Sequence, residues 1–149
     1  MKVTKDMSIA LSLGSVYFFA AVLAAADVFA PQWIGWYVQW RMMKAETVGR
    51  MLVTMYSASI FGWVCLWALY RLLRNIRDEV VFDAGNVRLL RTISRCCAFA
   101  AVIFLVSGVY YLPFLLVAVA AAFMMLIVRV VKNVFQQAIE MKSELDLTI

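Results

Sequence analysis

Residues 96–131 read CCAFAAVIFLVSGVYYLPFLLVAVAAAFMMLIVRVV, and Arg129 is the one charge among them. As a single helix rising 1.5 Å per residue, the uncharged part between Arg95 and Arg129 would run about 50 Å, against ~30 Å of hydrocarbon in a bilayer. Gly108 and Pro113 mark the break, since proline lacks the N–H that a helix interior needs and glycine weakens a helix. The stretch predicts two membrane-crossing helices closed into a tight hairpin, with Arg95 and Arg129 snorkelling from the helix ends. Tyr110 and Tyr111 belong at its tip, where amphipathic rings favour the interface.

Working outward, Ser8–Ala30 is apolar except for Asp27, and Met51–Tyr70 carries no charge. Each is long enough to cross the hydrocarbon. The expected spans are 8–30, 51–71, 94–112 and 113–131, with a cytoplasmic loop at 72–93 and a cytoplasmic tail at 132–149. The expected fold class is all-α: a single membrane domain over 1–149, an integral membrane bundle of four transmembrane helices with a short outer interfacial helix and a helical C-terminal tail. Composition agrees. Of 149 residues, 66% are hydrophobic and 15% charged, where soluble domains carry about 45–50% and 25%. So little charge cannot cover the chain in water, and lipid must cover part of it.

Basic residues set the expected orientation. Arg71, Arg74, Arg77, Arg88, Arg91 and Arg95 lie between the second and third spans; Lys2 and Lys5 precede the first; Arg129, Lys132 and Lys142 follow the fourth. Those are eleven of the fourteen basic residues, while Arg41, Lys44 and Arg50 fall on the other side. The positive-inside rule then puts both termini and the middle loop in the cytoplasm. Lys2, Lys5, the first apolar run and Ala24-Ala25-Ala26 also resemble a signal peptide cleaved near residue 26, although the apolar run is long for that role.

The chain has no histidine, which removes Ser-His-Asp and Cys-His nucleophile pairs, His-ligated metals and most general bases working near neutral pH. Cys65, Cys96 and Cys97 form no C-x-x-C and read as small buried hydrophobes. The net charge of +5 clusters at the ends of apolar runs, which fits a membrane surface better than nucleic acid. No catalytic, cofactor-binding or metal-binding residue is expected, and no direct binding of nucleic acid.

Four features invite a functional reading. Trp33, Trp36, Tyr37 and Trp40 recur at i, i+3, i+4, i+7, one face of a short helix opened by Pro31; the face suits the outer interface, with an aromatic cage for a cation as the sharper alternative. Asp27 is the one acid inside an apolar run, close enough to the run's end to reach headgroups or Arg41. In the middle loop, Arg74 and Asp78 stand at i, i+4 on a continuation of the second helix. Asp83 can cap a helix starting near Asn86, although Asn86 stands where a capping box would want Glu or Gln. In the tail, Ile127, Val131, Val134, Ala138, Met141 and Leu145 form a narrow apolar seam that could pack on the loop, lie on the inner leaflet or bind a protein.

The stretch Val81-Phe82-Asp83-Ala84-Gly85-Asn86-Val87-Arg88, continuing through Arg91 and Ile93 to Cys96, is similar to a segment of the small bacterial four-helix membrane proteins called domain of unknown function family 2975. The tail from Ala138 through Lys142, Ser143, Glu144, Leu145, Asp146, Leu147 and Thr148 to Ile149 resembles that family's ending. Gly85 stands where the family often has Glu, and Leu145 where it has Asn. The resemblance implies residence in the bacterial cytoplasmic membrane and, through gene association, a helix-turn-helix regulator as neighbour. The expected function is a non-enzymatic regulatory or sensory membrane protein. It would bind a cytoplasmic partner through loop 71–95 and the tail, with Asn86, Arg88, Arg91, Lys142, Glu144 and Asp146 as contact residues. A small transporter, a channel or an accessory subunit of a membrane complex is the alternative, and homo-oligomerisation stays open.

Overall fold

In lipid a backbone must satisfy its own N–H and C=O groups, and the four apolar runs do so as helices. The structure, a computed structural model, describes the backbone of residues 2–148 and the side chains of residues 4–147; Ile149, the end of the expected tail, lies outside the described residues, as does the side chain of Lys2. Among them are four helices and no strand: α1 (Lys2–Trp40), α2 (Glu46–Arg77), α3 (Ala84–Ser107) and α4 (Pro113–Thr148). All four are long and apolar enough to cross a membrane.

Successive helices run antiparallel. Tyr17 meets Tyr70 across α1 and α2, Phe61 stacks on Phe99 across α2 and α3, and Phe82, just before α3, meets Phe135 of α4. Among the described residues the backbones pack only between helices consecutive in the chain, so the four form an open row, although the Phe114 side chain of α4 also reaches the cluster between α1 and α2. Short connectors explain this order, because they leave each helix beside the one it follows. The buried core is correspondingly thin and splits into two clusters. One, at the end carrying the 41–45 and 108–112 connectors, holds Ala30, Ile34, Val38 and Met51; we call this the aromatic end. The other, towards the 78–83 connector, holds Ala68, Leu72, Leu90 and Ile93, and we call it the basic end. Ala30 and Ala68 are fully buried, small side chains that let neighbouring backbones approach.

The helix ends refine this layout. The separate helix expected from Pro31 to Trp40 is the last quarter of α1, which runs through Pro31 without a break. Within the 72–93 segment α2 continues, to Arg77, and a helix capped by Asp83 starts, at Ala84, so the connector itself is 78–83. The expected tail is the second half of α4. The hairpin closes where Gly108 and Pro113 suggested, but span three stops at Ser107 and residues 108–112 form the turn.

Both α1 and α2 end in a backbone lock with a non-glycine residue in the left-handed region. Met42 (φ 53°) and Glu79 (φ 66°) take that position. The following N–H groups return five residues, Met43 to the Val38 carbonyl at 3.0 Å and Val80 to the Asn75 carbonyl at 2.9 Å, the Schellman pattern of helix ends. Because α2 ends there, Asp78 is a capping residue rather than part of a continuing helix, and the Arg74–Asp78 ion pair expected from their spacing does not form.

Candidate functional site

At the basic end the loop is built on two side chains. Asp83 takes extended backbone (φ −127°, ψ 146°) and its carboxylate accepts the Gly85 N–H at 3.2 Å, so the cap forms with glycine in the family's Glu position. Asn86 does not reach back to complete a capping box. It is fully buried, donates both amide hydrogens to the carbonyls of Val80 (2.8 Å) and Val81 (2.6 Å), and accepts from Asn75 Nδ2 at 2.9 Å. Only an amide offers two donors and an acceptor on so short a stem. Asn86 therefore ties the 78–83 connector to the ends of α2 and α3, and presents nothing to a partner; Asn75, its counterpart, carries no signal in the sequence beyond a polar residue in a basic segment.

The other predicted contact residues separate into two groups. Arg88 and Arg91 are exposed and line, with Ala84, Val87, Gln136, Ile139 and Glu140, a cleft of ≈ 330 Å³ between α3 and α4. Lys142, Glu144 and Asp146 lie further along α4, all exposed. The apolar seam of the tail does not pack on the loop: Val134, Met141 and Leu145 are 56%, 64% and 65% exposed. Val128 and Phe135, on another face of α4, cover the basic-end core instead.

At the aromatic end Asp27 is a junction rather than an edge residue. Its carboxylate turns to α2 instead of Arg41, accepting from Ser59 Oγ at 2.5 Å and Trp63 Nε1 at 3.1 Å. Pro31 has no N–H to give the Asp27 carbonyl four residues earlier; the Tyr56 hydroxyl donates to that oxygen instead, at 3.0 Å. This explains how proline sits inside α1: a neighbouring helix supplies the missing donor. Tyr56 and Ser59 were not legible as partners, yet the signal existed, because a proline four residues after a polar intramembrane residue leaves an acceptor to be filled.

Beside this junction lies a largely apolar cavity of ≈ 550 Å³, with Leu23, Ile34, Met55 and Phe104 among its walls and Tyr37, Thr54, Ser59 and Tyr111 as its polar groups. The tyrosines at the hairpin tip turn their hydroxyls onto α1 and α2. Tyr111 and Tyr37 share a hydrogen bond between their hydroxyls. Tyr110 shares one with Thr54 at 2.5 Å and donates to the Arg50 carbonyl at 3.1 Å, and Thr54 also pairs with Ser107 at 2.7 Å. The predicted aromatic face is divided. Trp33 borders the cavity and donates to the Ala26 carbonyl at 3.2 Å, Tyr37 turns to the hairpin, and Trp36 stacks on Trp40 with rings 6° from parallel. Parallel stacked rings do not converge on a point, so the four do not form a cage. The cation–aromatic contact among the described residues is elsewhere, Arg71 over Trp67 at 5.2 Å.

Cys65 and Cys97 lie against the same cluster between α2 and α3, and Cys96 is buried. Among the described residues no group of three or more Cys, Asp or Glu is placed to hold a metal ion. No curated protein and no solved structure matches the chain. A match to the family described as "Protein of unknown function (DUF2975)" extends over residues 9–149, nearly the whole length, and the chain belongs to that family.

Proposed function

We propose that this is a non-enzymatic regulatory protein of the bacterial cytoplasmic membrane, with both termini in the cytoplasm, that binds a soluble cytoplasmic protein at its basic end. The observation that carries the reading is the meeting of two distant stretches. Phe135 of α4 packs on Phe82 before α3 at 5.8 Å between ring centroids. That contact sets Gln136, Ile139 and Glu140 alongside Arg88 and Arg91 around one cleft. α4 has 36 residues, about 54 Å of helix against ~30 Å of hydrocarbon, so well over ten residues extend beyond the bilayer. An extended helix with exposed charge and an open apolar seam is the kind of surface a soluble partner grips.

The test is a binding titration of the full chain in detergent with a purified small helix-turn-helix regulator, the kind of gene neighbour that the family resemblance implies. Binding is expected to weaken at least about tenfold in Arg88→Glu/Arg91→Glu, because reversed charges at a rim repel a matched partner. Removing 142–149 should weaken it as well. Unchanged binding in both variants, with unchanged expression of the regulator's target genes, would end this reading. A second reading, a small transporter, draws on the ≈ 550 Å³ cavity beside Ser59 and its hydrogen-bonded Asp27. Uptake into liposomes that Asp27→Asn abolishes would favour it.

A further inference from the structure

The basic end holds a second cleft, which shares Arg91 with the partner cleft and is otherwise lined by residues that the partner-binding reading does not use. Arg91, Ser94, Arg95 and Ala98, spaced i, i+3, i+4, i+7 on α3, face Met125, Arg129 and Lys132, spaced i, i+4, i+7 on α4, around ≈ 270 Å³. Four cations line it and no acid does. Among the described residues no carboxylate lies within ion-pair distance of any of the four. Side chains of this length could splay apart into water, as snorkelling residues do. Here helix spacing and the antiparallel hairpin aim them at one space, where they repel one another unless an anion joins them.

Ser94 adds an independent observation. Among the described residues five polar side chains are buried: Thr54, Ser59, Asn86, Ser94 and Ser107. Four of them are hydrogen-bonded within the protein. Ser94, 8% exposed, makes no such bond and does not even return its hydroxyl to the carbonyl four residues back, as Ser15, Ser57 and Thr92 do. Its side chain lines the cleft among the cations. The residue is buried but its hydroxyl oxygen is not, so an unbonded hydroxyl opens onto the cleft beside converging guanidinium groups, a donor set for an oxyanion.

We propose that this cleft binds a phosphate group. Arg91, Arg95 and Arg129 can each engage two phosphate oxygens, Lys132 adds a point charge, and the Ser94 hydroxyl donates to a remaining oxygen. The group could belong to an anionic phospholipid or to a soluble phosphate. Ala98 and Met125 form the apolar side of the cleft, facing into the membrane-crossing part of the helices, where the acyl chains of a lipid would lie. Basic pockets between membrane helices on the cytoplasmic side hold anionic headgroups in this way.

The experiment uses native mass spectrometry and thermal unfolding on the full chain in detergent, with phosphatidylglycerol, phosphatidylcholine or inorganic phosphate added. One saturable phosphatidylglycerol is expected, with phosphatidylcholine bound at least about tenfold more weakly. Arg95→Gln/Arg129→Gln alters this cleft and not the partner cleft; at roughly fivefold per near-surface cation it should weaken phosphatidylglycerol about 25-fold. Arg77→Gln, outside the cleft, should leave binding unchanged. Without ligand the double variant should unfold no earlier than the parent, since it relieves repulsion, while the rise in Tm with phosphatidylglycerol should appear in the parent alone. Competition by inorganic phosphate would assign the site to a soluble phosphate, and binding of the lipid with inert phosphate would assign it to a headgroup. Equal binding of the two lipids with no phosphate binding, or parent-like affinity in the double variant, overturns the proposal.

Discussion

Asn86 uses every donor and acceptor on its amide, which makes the position intolerant of its nearest isostere. In Asn86→Asp both hydrogens facing the Val80 and Val81 carbonyls are replaced by a charged acceptor. A negative charge in the first turn of a helix gains about 0.5 kcal/mol from the dipole, up to ~2 at best. Burying it against two carbonyls costs about 3 kcal/mol or more. The loss wins, and unfolding in detergent should show Asn86→Asp to be worse than Asn86→Ala, at about 2 kcal/mol. Tyr56 makes a conditional prediction. Tyr56→Phe should cost about 1 kcal/mol, the upper range for one interhelical hydrogen bond in a membrane. In a Pro31→Ala background the restored N–H can satisfy the Asp27 carbonyl, and the cost should fall to near zero. Equal costs in both backgrounds would show that Tyr56 is not filling the proline gap. At Glu79 the left-handed backbone disfavours a side chain, and an acid at a helix C-terminus opposes the dipole. Glu79→Gly should therefore raise stability by about 1 kcal/mol in the same unfolding assay.

For the helical elements, the hairpin of α3 and α4 depends on a close approach that glycine allows. Gly108 has an ordinary helical backbone (φ −61°), so its importance lies in space rather than conformational freedom. A methyl group there would come 2.4 Å from Leu115 Cδ2, 2.7 Å from its Cγ and 3.2 Å from the Leu105 carbonyl oxygen. Gly108→Ala should destabilise by about 1–3 kcal/mol through overpacking. Most of that should return in Gly108→Ala/Leu115→Ala, because the two closest crowding atoms belong to the Leu115 side chain. The sequence marked Gly108 as a helix breaker. Its position in the turn was legible, and its packing role was not, because nothing in the pattern tells which side chain of the returning helix will lie over it.

For the whole molecule, four crossings would put the 41–45 and 108–112 connectors on one side of the membrane and the 78–83 connector with the end of α4 on the other. Met42 and Val109 are 95% and 91% exposed and suit labelling. With Cys65, Cys96 and Cys97 replaced, single cysteines at Met42 and Val109 should react with an impermeant reagent from one side, and those at Glu79 and Ser143 from the other. Val109 and Glu79 reacting from the same side would mean that α3 does not cross. The thin core matters at this scale too. With backbone packing confined to helices consecutive in the chain, stability rests on two small clusters and a few polar junctions.

Four helices, the break between Gly108 and Pro113, and the capping role of Asp83 were all determined by the sequence alone. Each follows from local rules: hydrocarbon thickness sets the length of an apolar run, proline ends a hydrogen-bond ladder, and an Asp side chain reaches the N–H groups of its own helix. What joins the helices was decided by the tertiary structure. The fold carried Pro31 inside α1, turned Asp27 to Ser59 and Trp63, closed Asn86 on the connector, and arranged the helices in an open row. It also gathered Arg91, Arg95, Arg129 and Lys132 into one cleft. These depend on the rotation of one helix against another, set by side-chain packing between segments far apart in the chain, and periodicity along a single helix does not specify that rotation.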